Sequence, residues 1–229
     1  MFTRQKFEVN RQRTFAMMKP DAYTQTGKII DAIYQQGFVV SKLKMSKFNP
    51  NSVGSFYGEH RGKPFYENLS NFIQTDVVTG MELVASNAVD NWRQMIGPTN
   101  TQAAKQNAPH SIRALFGTDG TKNAVHGSDS GPSWKRETDF FFSGNMRTTA
   151  FFNNCACCII KPHAVANGDA GKIIDIILEE GFEISAMEMF NLDKPSAEEF
   201  FEVYKGVLPE FVAMIEQMIS GPCIALEIR

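Results

Sequence analysis

The chain has 229 residues, 43% hydrophobic and 21% charged, a soluble globular composition long enough for one ample folded unit or one unit plus part of another. Its 23 Lys and Arg nearly cancel 25 Asp and Glu, which excludes a global field drawing it to nucleic acid or a membrane surface and makes any anion site a local one. The N-terminus has no apolar signal core, no run is long enough to span a bilayer, and four cysteines do not make a secreted disulfide framework, so a reducing cytoplasmic setting is expected.

Residues 1–13 are polar and read as a leader. Thr14 to Met18 is a short apolar run stopped by Lys19-Pro20-Asp21, as a buried strand would be. From Gly27 the spacing becomes helical, with Ile29, Ile30, Ile33 and Tyr34 on one stripe and Gly37 as the closing cap. Residues 38–48 alternate as a half-buried strand, helical patterns cover 50–57 and 64–73, and Val77 to Val84 reads as a third strand. Asn87 is placed to cap a helix through Ile96, which Gly97-Pro98 stops. Residues 99–137 read as loops and short helices, and Asp139 to Phe142 as a final strand.

Within 99–137, Asn123-Ala124-Val125-His126-Gly127-Ser128-Asp129-Ser130 sets one imidazole among small and hydroxyl-bearing neighbours, preceded by Phe116-Gly117-Thr118-Asp119-Gly120. A neutral imidazole is a competent nucleophile, and small neighbours admit a bulky charged group. By itself the stretch reads more readily as a turn-rich loop with a hydrogen-bonded histidine.

The pattern then repeats. Cys158-Ile159-Ile160-Lys161-Pro162 echoes Met17-Met18-Lys19-Pro20, and Gly171-Lys172-Ile173-Ile174-Asp175 repeats Gly27-Lys28-Ile29-Ile30-Asp31 letter for letter. Gly-Phe follows ten residues on in both, at Gly37-Phe38 and Gly181-Phe182, and Ile224 to Ile228 parallels the third strand. The expected organisation is a complete unit over 14–142, a linker over 143–152 and a partial second unit over 153–229 without a counterpart of the histidine stretch. The second unit keeps Lys161 but has Phe201 near the Tyr57 position, and is expected not to transfer phosphate. Its face of Ile173, Ile176, Ile177, Phe182 and Ile184 needs cover from the first unit or another chain. The Cys155-Ala156-Cys157-Cys158 cluster, with His163 nearby, reads as buried thiols more readily than as a metal site.

With Lys19-Pro20-Asp21, Tyr57 ahead of Pro64-Phe65, and Asn123 to Asp129 in one order, the chain resembles the nucleoside diphosphate kinase family, in its tandem-unit, flagella-associated branch. The resemblance implies an α+β, ferredoxin-like fold: a four-stranded antiparallel sheet covered by helices, followed by a partial second copy. It implies transfer of the γ-phosphate of a nucleoside triphosphate to a nucleoside diphosphate by way of phosphohistidine at His126. Lys19, Arg93 and Arg113 then match the phosphate-binding cations, and Tyr57 and Thr99 the hydroxyl donors near the transferred group. Glu137 matches the carboxylate that orients the imidazole, with Ser128 bridging to it. Asn123 matches the sugar contact, and Phe65 and Leu69 the positions that receive the base, a stacking mode tolerant of base identity. Asp129 is expected to cap the following turn. Mg²⁺ is expected with the nucleotide, held by phosphates and water. The chain departs from the family where Gly120 aligns with an apolar residue that closes the other side of the base, and where three residues are inserted between Thr99 and Arg113. Walker-type and protein-kinase motifs are absent. Nucleoside di- and triphosphates are the implied partners, with no membrane and no specific nucleic acid; a homo-oligomer is open. The other reading is a cytoskeletal or axonemal protein that uses the kinase fold as a binding surface for microtubules.

Overall fold

A computed structural model describes residues 11–229, so residues 1–10 of the expected leader lie outside the described residues. The first strand, β1 (Arg11–Met18), starts three residues earlier than the apolar run suggests. Arg13 forms an ion pair with the buried Glu82 of β3 (Val77–Ser86), so pairing across the ladder carries a polar stretch into the sheet. Helix α1 (Thr26–Gln35) follows, closed by Gly37 at φ +78°, and β2 (Val39–Lys47) runs back along β3.

An arm of two short helices, α2 (Pro50–Phe56) and α3 (Tyr66–Ile73), leads into β3. Asn49 and Ser52 make a reciprocal capping box at the start of α2. Helix α4 (Ala88–Ile96) occupies the expected place, but Asn87 does not cap it through its side chain; it takes a left-handed backbone instead (φ 51°). Helices α5 (Thr101–Asn107) and α6 (Ile112–Phe116) precede a three-residue strand, β4 (Val125–Gly127), that pairs with β1. Asp139 to Phe142 is not a strand. It is the last turn of α7 (Gly131–Phe142), which starts on a Ser130 cap with Pro132 in its first turn and buries Thr138 and Phe141 on one face. A run of three phenylalanines has no period of its own, so the cap ten residues upstream decides it.

The second copy supplies β5 (Ala156–Ile160), α8 (Pro162–Ala166), α9 (Ala170–Glu179), β6 (Ile184–Phe190), α10 (Lys194–Phe200), α11 (Phe211–Met218) and β7 (Cys223–Ile228). All strands join one antiparallel sheet in the order β4-β1-β3-β2-β6-β7-β5. The order β1-β3-β2 is mirrored by β6-β7-β5 about a junction where Lys44 pairs with Glu188, whose side chains lie 3.3 Å apart. Each half has a bulge next to this junction, at Ser41 and Ser185, and each bulged serine donates to a buried carboxylate, Glu82 Oε1 at 2.8 Å and Glu227 Oε1 at 2.6 Å.

The face in need of cover finds it on the first copy. Helices α1 and α9 touch through Gly27 and Gly171: a Cβ on the first would sit 2.3 Å from the Asp175 nitrogen, and on the second 2.2 Å from the Asp31 nitrogen. Only glycine allows the two backbones this close. Ile184 is fully covered and Ile173 and Ile177 partly so, whereas Ile176 and Phe182 stay exposed. The thiols are not uniformly buried: Cys155 and Cys157 are exposed and Cys158 half-buried, because β5 lies at the sheet edge, and only Cys223 is interior.

Period-2 alternation along β1 divides the core. Ala16 and Met18 join the apolar cluster shared with α1, α4 and α9, while Phe15 and Met17 join an aromatic cluster under the arm and α7. Each fully buried phenylalanine there contributes about 2–3 kcal/mol. This second cluster forms the floor on which the histidine stretch stands.

Candidate active site

Strand β4 lies at the sheet edge, and side chains from three other elements hold the segment leading into it. Ala124 adopts φ +65°, a conformation that costs a non-glycine residue about 1–2 kcal/mol. Two bonds offset that cost: the Ala124 N–H donates to Asp21 Oδ2 at 2.9 Å, and its carbonyl accepts from the Lys19 N–H at 2.8 Å. The preceding turn is tied by Asp119, whose Oδ1 accepts from the Thr121 and Lys122 N–H groups at 2.7 Å each. Those bonds also keep the Asp119 carboxyl below its usual range. Arg113 donates from Nη1 to the Gly97 carbonyl at 2.7 Å and from Nη2 to the Val125 carbonyl at 3.1 Å. Trp92 donates from Nε1 to the His126 carbonyl at 3.3 Å. Pairing of Met17 with His126 completes the frame.

His126 stands in an aromatic collar, with ring centroids 5.6 Å from Phe56, 5.9 Å from Tyr57 and 6.2 Å from Phe15. Its Nε2 lies 3.1 Å from Glu137 Oε1, close enough for an ion pair but too poorly aligned for a hydrogen bond. Glu137 is 5% exposed, and burial of a carboxylate costs several kcal/mol unless it is partnered. Ser128 is that partner: its Oγ donates to Glu137 Oε2 at 2.5 Å. The expected bridge therefore runs the other way, with the carboxylate standing between the ring and the serine. The cap of the following helix is Ser130 and not Asp129 as expected: Asp129 Oδ1 accepts from the hydroxyls of Ser130 at 2.9 Å and Ser133 at 2.6 Å and so braces the cap from one residue upstream. Those two hydroxyls hold its carboxyl below the ordinary range.

A cavity of about 850 Å³ opens in front of the ring. Lys19, Arg93 and Arg113 line it as cations, and Tyr57, Thr99 and Thr121 as hydroxyl-bearing residues. Phe65, Leu69, Asn123, His126 and Glu137 complete the set expected from the sequence, and Ser128 alone stands behind the wall. Lys19 is only 6% exposed; its Nζ donates to Asn123 Oδ1 at 2.7 Å and to the Thr121 carbonyl at 3.0 Å. Burial, reinforced by the Arg113 charge and resisted by Asp21, pulls its pKa down from 10.5 to about 8. Arg113 is lowered to about 10 by burial and then by Arg93. Burial and then Glu137 push the Tyr57 hydroxyl well above its ordinary value, so it remains an O–H donor. Its oxygen is buried without a partner, as is Arg113 Nε. Two buried donors left open beside a cationic cavity are places where acceptor oxygens fit.

Asn123 does less for a sugar than expected, since its Nδ2 already donates to the carbonyls of Thr99 at 3.0 Å and Gly120 at 3.1 Å. Only Oδ1, shared with Lys19, can still accept. At the outer end Phe65 is 45% exposed, edge-on to His60 at 5.6 Å, while a Cβ built on Gly120 meets nothing within 4 Å. One side of the base end is therefore open, as its glycine suggests. Sequence reading missed His60, which lines the cavity with Nδ1 3.1 Å from Lys63 Nζ, and missed the support given by Asp21 and Trp92. Two signals were available: the aspartate directly after Lys19-Pro20, and a tryptophan adjoining a candidate arginine.

The family model described as nucleoside diphosphate kinase matches residues 12–146 and again 154–229. A rat protein named nucleoside diphosphate kinase homolog 7 is 44% identical over the whole chain, which spans 59% of that protein's length. Among solved structures, a nucleoside diphosphate kinase of Aquifex aeolicus is 43% identical with TM-score 0.57, covering 59% of this chain and 97% of its own. A nucleoside diphosphate kinase of Halobacterium salinarum, solved in complex with CDP, is 29% identical with TM-score 0.55, covering 60% of this chain and 92% of its own.

Proposed function

The chain belongs to the nucleoside diphosphate kinase family, and from that premise we propose that residues 14–142 move the γ-phosphate of a nucleoside triphosphate onto a nucleoside diphosphate through phosphohistidine at His126. The observation that carries this reading is the convergence of Lys19, Arg93, Arg113 and the unpartnered Tyr57 hydroxyl on one cavity with the His126 ring. Glu137 faces Nε2, so Nδ1 is the nitrogen left for attack. In the first half-reaction Nδ1 forms a bond to the γ-phosphorus as the bond to the bridging oxygen breaks, and the nucleoside diphosphate leaves. In the second, a terminal oxygen of another nucleoside diphosphate bonds to that phosphorus as the Nδ1–P bond breaks, which frees the imidazole and gives ping-pong kinetics.

Phosphoryl transfer asks mainly for positioning and for positive charge around the equatorial oxygens. Lys19, Arg93 and Arg113 supply the charge, and Tyr57 and Thr99 donate to phosphate oxygens. Arg113 offers Nε because its terminal nitrogens already hold backbone carbonyls. Glu137, braced by Ser128, stabilises the ring as it gains charge. Phe65 and Leu69 take one face of the base, and Asn123 offers Oδ1 to the sugar while steadying Lys19.

Among the described residues no three His, Cys, Asp or Glu side chains gather to hold a metal. Three carboxylates, Glu59, Asp129 and Glu137, line the cavity together with Lys19, Arg93 and Arg113, a mixed lining that fits Mg²⁺ carried in on the phosphates and held by them and by water. When bound, the ion neutralises charge on the phosphates and fixes their geometry. Incubation with γ-labelled ATP is expected to leave acid-labile, base-stable label on the chain. Equal labelling of His126→Ala overturns the assignment.

A further inference from the structure

We infer that Trp92 is a positioning residue that sets the nucleophile against the phosphate-binding arginine beside it. This rests on the kinase reading of the same site. Trp92 is fully buried, one turn from Ala88 and Ile96 on the inner face of α4, and its successor Arg93 emerges into the cavity. The indole Nε1–H donates to the His126 carbonyl at 3.3 Å, while the His126 side chain faces the cavity. One side chain thus joins the backbone of the nucleophile to the helix that carries a phosphate cation.

The contact is shaped on both sides. A Cβ on Gly127 would lie 2.5 Å from Trp92 Nε1, 2.6 Å from Cδ1 and 3.2 Å from Ile96 Cδ1, so the residue after the histidine has to be glycine for the indole to reach in. Behind the indole, Phe38 packs edge-on at 6.4 Å and fixes its depth. The neighbouring carbonyl, of Val125, is held by Arg113. Successive carbonyls of an antiparallel strand point to opposite sides, so Arg113 holds that of Val125 on the free edge, while Trp92 adds a donor to that of His126, which is turned toward β1. With Trp92 in place, α4 cannot rotate or slide without moving His126, and the span from ring to Arg93 stays constant.

An in-line displacement is sensitive to that span, since misplacement by about 1 Å costs up to a hundredfold in rate. Trp92→Phe keeps an aromatic ring, smaller than the indole, and removes the N–H. The expected result is a fall of about tenfold in kcat and in the rate of His126 labelling by γ-labelled ATP, with KM for the nucleotide little changed. Trp134→Phe, at the other tryptophan, is expected to leave the rates alone. In that Trp134→Phe background the sole remaining indole reports directly, and its emission should shift when His126 is phosphorylated. Gly127→Ala should lower kcat in the same manner, because the added methyl displaces the indole. Wild-type kcat in a folded Trp92→Phe chain overturns the inference. So does a rise in KM at unchanged kcat, which would place Trp92 in nucleotide binding alone. Absence of label on the wild-type chain would instead sink the kinase reading, so the two failures are distinct.

Discussion

Lys19 and Lys161 end equivalent strands and precede the same proline, yet one is 6% exposed and bonded at Nζ while the other lies in solvent. Phe56 and Phe200 close equivalent helices in the two arms, yet the first is 6% exposed and the second 49%. The next residue is Tyr57 in one copy and Phe201 in the other. Local sequence has built the same strand, turn and helix twice. What differs is the cover: in the first copy β4, its preceding turn and α7 lie over these residues, supplying Thr121, Asn123, Phe140 and His126 as neighbours. Burial then turns an ordinary lysine into a desolvated one whose pKa is pulled down to about 8. A site of this kind is made by what packs across a repeat more than by the repeat itself.

The sharpest way to break this comparison is at the nucleophile. His126→Ala is expected to lower phosphotransfer by at least about a thousandfold, while Lys161→Ala in the other copy leaves it unchanged; steady-state transfer from ATP to a second diphosphate reads both. Next comes Lys19. Lys19→Met should cost about a hundredfold in kcat/KM by removing a charge buried against the phosphates. It should also flatten the pH profile. In wild type, kcat/KM is expected to fall as pH rises through about 8, where Lys19 loses its proton.

The same shift has a stability signature of opposite sense. With a folded-state pKa of about 8 against 10.5 when unfolded, protonated Lys19 opposes folding below pH 8, by about 3 kcal/mol. That penalty is relieved as pH climbs from 8 to 10.5, because the unfolded chain still holds a proton that the folded one has shed. Denaturant midpoints should show a local gain over this window in wild type and none in Lys19→Met.

A smaller effect is expected from Tyr57→Phe, which makes the first copy resemble the second. It removes a donor to phosphate oxygen but no charge, and a fall of about three- to tenfold in kcat is expected; no change would show that the orphaned hydroxyl is idle. The smallest effect is at the base end. Gly120→Val builds into open space and should tighten nucleoside diphosphate binding by about two- to fivefold, read by calorimetry, through added apolar contact with the base.

Periodicity alone placed the elements of the first copy from β1 to α4, because an apolar stripe or alternation needs only its own residues to declare itself. The repeat was equally visible, since Gly171 to Asp175 restates Gly27 to Asp31. Resemblance brought the site residues together by name, and ten of the eleven line one cavity. Three features waited for tertiary structure. The helical state of Asp139 to Phe142 depends on a distant serine cap and on Phe141 packing against Phe15. The union of both copies in one sheet depends on an approach of two glycines 144 positions apart. The altered acidity of Lys19 depends on burial beneath a loop a hundred residues away and then on Arg113. Order along the chain carries short-range preference; desolvation and close contact are properties of neighbours in space, and no single stretch of sequence holds both members of such a pair.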